Sequence, residues 1–110
     1  MRRLFLALSL LLPVTMLISS ASMAETKLDA SILSYDGKDF VRTETTLMQD
    51  GQSAVGTKLD HDSPAYKALV EKHSYIGPAT VFGHSYQADY APLIGADGKL
   101  TGALFVGVPK

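Results

Sequence analysis

The sequence predicts an α+β domain in which an antiparallel sheet carries one short helix. Five runs alternate apolar and polar residues with the period of a strand. Asp-Gly pairs at 36, 50 and 97 punctuate them, as tight turns require residues that accept positive φ. A single segment, opened by Ser63-Pro64, follows the helical period instead.

In chain order, Ala30 to Tyr35 is the first strand and stops at Asp36-Gly37-Lys38. Asp39 to Met48 resumes as a longer run, FVRTETTLM, and makes a hairpin with it. Phe40, Arg42, Glu44 and Thr46 share one face of that run, and Val41, Thr43, Thr45 and Leu47 share the other. Neither set is uniformly apolar, so the direction of Arg42 stays open at this point. A second turn follows at Asp50-Gly51.

The helix starts at Asp62-Ser63-Pro64, where Asp62 or Ser63 caps free amides and Pro64 suits the first helical position, and runs to Lys72 or His73. Tyr66, Leu69, Val70 and His73 fall at i, i+3, i+4 and i+7, one stripe to lay on a sheet. Pro78 to Phe82, Ser85 to Leu93 and Lys99 to Val108 complete the strands, separated by Gly83-His84 and by Ala96-Asp97-Gly98.

The chain opens with Arg2-Arg3, an apolar stretch from Leu4 to Ile18, and the small, polar run Ser19 to Ala24. This is the layout of a secretory signal peptide, with cleavage expected after Ala24 and export to the periplasm or medium. An uncleaved anchor is the alternative, but the apolar core is short of the roughly 20 residues a spanning helix needs. Residues 25–110 then form one small domain, near the size where a single core stabilises only marginally, so pairing into a homodimer is compatible with it. Loss of Arg2 and Arg3 leaves an acidic balance with no basic cluster, which disfavours nucleic acid. There is no cysteine, which excludes disulfides, thiolate metal sites and a thiol nucleophile.

No catalytic constellation can be assembled. His61, His73 and His84 lack the tight spacing of a zinc site, no serine sits in a G-x-S-x-G elbow, and no glycine-rich segment leads into a phosphate-binding helix. No enzymatic activity and no cofactor are expected. What remains is a polar set suited to holding a small molecule: Arg42, Tyr75, Tyr86, Asp89 and Tyr90. Tyr86 and Tyr90 are four apart on a strand and point the same way, with Ala88 between them. Arg42, if it faces them, offers a planar fork to a carboxylate; if it does not, it pairs with a neighbouring glutamate and the tyrosines are half-buried strand residues.

Four segments, DGKDFVRTETTL, GTKLDHDSPAYKAL, YIGPATVFGHSYQADYAPL and DGKLTGALFVGV, together resemble the Cache superfamily. The type is the Cache 3/Cache 2 extracytoplasmic sensing domain of bacterial methyl-accepting chemotaxis receptors. The resemblance implies a PAS-like fold, a central sheet of five or six strands with a small-molecule pocket between sheet and helix. By position, Arg42, Tyr75, Tyr86 and Tyr90 line that pocket, with Asp89 the outlier. The long helix that precedes the first strand in such receptors is not expected here, where Glu25 to Asp29 alone separate the leader from that strand.

These features converge on an exported sensory domain that binds an organic ligand, such as a carboxylate, and presents it to a membrane-bound receptor or kinase in chemotaxis or signal transduction. The competing expectation is a protein-interaction module that docks through its sheet without a ligand.

Overall fold

Antiparallel pairing joins every neighbouring strand of the computed structural model, which describes residues 27–110. In chain order the elements are β1 (Asp29–Tyr35), β2 (Phe40–Thr45), β3 (Met48–Gln49), β4 (Gln52–Ser53), α1 (Pro64–Val70), β5 (Tyr75–Val81), β6 (His84–Ile94) and β7 (Leu100–Pro109). The segment expected to act as an export signal, residues 1–24, lies outside the described residues. Among the described residues no helix is long and apolar enough to cross a membrane.

Five strands form one sheet in the order β2-β1-β7-β6-β5, so the last strand closes the sheet beside the first. This is the expected α+β, PAS-like arrangement. β3 and β4 add a separate two-stranded ribbon around Asp50-Gly51, which the sequence marked only as a turn. One face of the large sheet carries the core: Leu33 on β1, Phe40 on β2, Ala103 and Phe105 on β7, Tyr86, Ala88 and Tyr90 on β6, and Val81 on β5. Gly107 lies on this face opposite Ala88. A methyl group there would stand 2.5 Å from the Phe105 ring, so glycine lets Tyr86 and Phe105 meet edge-on at 5.9 Å.

β2 resolves its own ambiguity through a bulge. Ile32 pairs with Glu44 and Leu33 with Arg42, leaving Thr43 as the extra residue. The period-two alternation therefore changes phase along this strand: Phe40 and Arg42 turn inward before the bulge, Thr45 and Leu47 after it. Thr45 meets Ser31 there, Oγ to Oγ1, at 2.6 Å.

The helix begins as its sequence dictates. Ser63 Oγ accepts the Tyr66 amide at 3.1 Å and donates to the Asp60 carbonyl at 2.7 Å, with Pro64 in the first turn. It ends at Val70, before the expected Lys72 or His73, where Lys72 takes a left-handed φ of 64°. That early stop moves the buried stripe. Ala65 and Leu69 face the sheet, with Tyr66 half-buried beside them, while Val70 and His73 are exposed. β5 starts at Tyr75, three residues before the expected Pro78, because Tyr75, Ile76 and Gly77 pair with Tyr90, Asp89 and Ala88.

Candidate functional site

Between the core face of β5 and β6 and the segment leading into α1 lies a cleft of about 640 Å³, within the range of small-molecule sites. Its floor is the strand face bearing Tyr75, Ala79, Tyr86 and Tyr90; its opposite wall is Lys58 to Ala65; Arg42 and Phe82 border it as well. The wall is fixed by backbone pairing along the free side of β2. Arg42 N donates to Thr57 O at 2.9 Å and Leu59 N to Phe40 O at 2.9 Å. It is fixed again at its far end, where His61 Nε2 meets Asp39 Oδ1 at 2.6 Å and the imidazole stacks on Tyr66 at 4.2 Å. Tyr66 in turn donates its hydroxyl to Lys38 O at 2.6 Å.

Arg42 is the chemical centre of this cleft. Only 4% of its surface is exposed. Its Nη1 donates to Thr57 Oγ1 at 3.1 Å and to Lys58 O at 3.2 Å. The ring of Phe82 lies 5.0 Å from the guanidinium carbon, within reach of a cation–π contact. Among the described residues no carboxylate forms an ion pair with it; the pairs present are Lys58 and His61 with Asp39, and His73 with Glu71. A guanidinium held away from water without a counter-charge is costly. Burial accordingly pushes the Arg42 guanidinium below its ordinary value, and neighbouring Tyr90 offsets part of that effect.

The three tyrosines differ in what they present. Tyr90, 2% exposed, places its hydroxyl beside Arg42; burial raises its pKa, and the guanidinium pulls it back down. Tyr86 contributes its ring to the cleft, but its hydroxyl donates to Asp29 Oδ2 at 2.8 Å. Tyr75 folds back along its own strand and donates to Pro78 O at 2.6 Å. Gly77 permits this, since a side chain there would meet the Tyr75 hydroxyl at 2.9 Å. One phenol of the three is thus aimed with Arg42.

The structure brings Arg42, Tyr75, Tyr86 and Tyr90 together around one cleft and leaves Asp89 out. Asp89 is exposed on the opposite face of β6, as strand alternation between Ala88 and Tyr90 demands. Thr57, Lys58 and Phe82 were not singled out by sequence reasoning. The signal for Phe82 was its place before Gly83 in a two-residue turn; for Thr57 and Lys58 there was none, because their contacts with Arg42 span 15 and 16 residues.

On the outer sheet face Ile32, Leu104, Val106, Val108 and Ile76 are all more than a third exposed, with Asp89 among them. The Cache 3/Cache 2 fusion domain family matches residues 23–110, and the chain belongs to that family. Cache domains are extracytoplasmic sensory domains that bind small molecules as parts of receptors and are not catalysts. No curated protein and no solved structure matches the chain.

Proposed function

We propose that this Cache domain is exported and binds a small organic carboxylate in the cleft between β5, β6 and the α1 entry segment, presenting it to a membrane-bound receptor or kinase. The observation that carries the reading is Arg42: a cation buried at a cleft, oriented by two hydrogen bonds and an aromatic ring, and lacking an acidic partner among the described residues. A ligand carboxylate supplies the missing charge. The Nη1 bonds to Thr57 and Lys58 fix one side of the planar fork, and its other donors, with the Tyr90 hydroxyl, are the groups left for the ligand. Charge-assisted hydrogen bonds of about 1.5–3 kcal/mol each suit a sensor that must release as well as bind.

Calorimetric titration of the purified mature chain, residues 25–110, with organic acids, amino acids and purines tests the reading. Saturable heat with carboxylates and none with purines is the expected result. A flat response from a folded protein across all three classes overturns it.

The exposed apolar residues of the outer face support a second reading, in which the sheet docks on another protein and the cleft is idle. Light scattering separates the two. A monomer that binds carboxylates favours the sensor, and a stable complex formed without any ligand favours the docking module.

A further inference from the structure

The β5–β6 turn has two residues, since Val81 pairs with His84 and only Phe82 and Gly83 lie between. Both take positive φ, 49° at Phe82 and 80° at Gly83, the geometry of a primed hairpin turn. The same chain builds the same turn at β3–β4 from Asp50 and Gly51, with φ of 54° and 78°. Asp, Asn or Gly is the ordinary occupant of that first position, because a short polar side chain tolerates left-handed backbone. A bulky aromatic there is an outlier, and such strain persists where the surroundings use it.

At Phe82 the use is visible. Its ring lies over Arg42, 5.0 Å from the guanidinium carbon, and borders the cleft. Nη1 is already anchored by Thr57 and Lys58. Contact from the Phe82 ring restricts how the rest of the fork turns about that anchor.

We propose that Phe82 is a positioning residue for ligand binding, held in a strained turn so that its ring caps Arg42 and keeps the free edge of the guanidinium aimed into the cleft. The proposal rests on the carboxylate reading above. It separates stability from affinity at one position: the residue best for the turn is not the residue best for the site.

The test uses the mature chain with acetate, succinate and benzoate as probes, in calorimetry and thermal unfolding, on wild type and on Phe82→Asn, Phe82→Leu and Phe82→Tyr. Phe82→Asn relieves the turn and removes the ring, so its Tm equals or exceeds that of wild type while affinity for the bound probes falls about 3- to 30-fold. Phe82→Leu keeps an apolar side chain without a π face and loses affinity likewise; Phe82→Tyr binds as wild type does. Wild-type affinity in Phe82→Asn or Phe82→Leu, or a lowered Tm in Phe82→Asn, overturns this inference alone. Absence of binding by folded wild type to these acids and to every organic acid and amino acid of the titration above overturns the carboxylate reading and this inference with it.

Discussion

Tyr86 donates its hydroxyl to Asp29 Oδ2 at 2.8 Å, joining the start of β6 to the start of β1 across 57 residues of sequence. Asp29 Oδ1 accepts from the Thr46 hydroxyl at 2.8 Å, so this carboxylate gathers three segments at one end of the sheet. The bond gives a residue that looks like a ligand contact in the sequence a different task. Its hydroxyl holds the sheet, and only its ring serves the cleft.

Burial, then the bond and charge of Asp29, raise the Tyr86 pKa to about 12. The ordinary tyrosine value is about 10, so the fold favours the protonated phenol. That contribution is complete below about pH 10 and is lost as pH rises through the folded value. In an ultraviolet pH titration Tyr86 should ionise late, near pH 12. Tyr86→Phe should remove that late step, and its persistence would show that another phenol carries it.

At the acid end, Asp39 is the group to watch. The hydrogen bond from His61, followed by the charge of Lys58, holds its carboxyl below the ordinary value despite some desolvation. A depressed carboxyl contributes stability above its unfolded value of about 3.9 and loses it as pH falls through the folded one. Carbon-13 NMR titration of the Asp39 carboxyl should place its midpoint below that of a free aspartate. In His61→Ala the midpoint should rise; an unchanged midpoint would mean that His61 is not the main cause.

Leu69 is fully buried and seats α1 on the sheet, and through α1 it supports the wall of the cleft. Leu69→Ala should cost about 2–5 kcal/mol in urea unfolding. For a domain of this size that is a large share of the total. Val70, one position on, is exposed, and Val70→Ala should change stability by about 0.5 kcal/mol or less.

Much of the fold was legible because its signals are local. Asp36 bonds the Lys38 and Asp39 amides at 2.9 and 2.7 Å and turns the first hairpin by chemistry contained in four residues. Ser63-Pro64 starts the helix within one turn. What the sequence left open depends on distant partners. The direction of Arg42 follows from the bulge at Thr43, which exists only in the pairing of β2 with β1. The stop of α1 at Val70 is set where β5 must begin at Tyr75 to pair with Tyr90. Asp89 is the opposite case, since strand alternation alone places it away from Tyr86 and Tyr90. For the cleft itself, the residues that line it were largely visible as a tyrosine-rich strand pair. Which phenol is free was not, because Tyr86 is engaged by Asp29 and Tyr75 by the carbonyl of Pro78.

The central claim is that Arg42 is kept as a buried cation for an anionic ligand rather than for stability, and Arg42→Met tests it directly. Methionine fills similar volume without charge, and replacing an uncompensated buried ion with an apolar side chain is often neutral or stabilising. Calorimetric titration of the folded variant with the carboxylates that wild type binds is the decisive measurement. A Tm at or above wild type together with a loss of about 1.5–3 kcal/mol or more in binding is the predicted result. Wild-type affinity in folded Arg42→Met would contradict the claim.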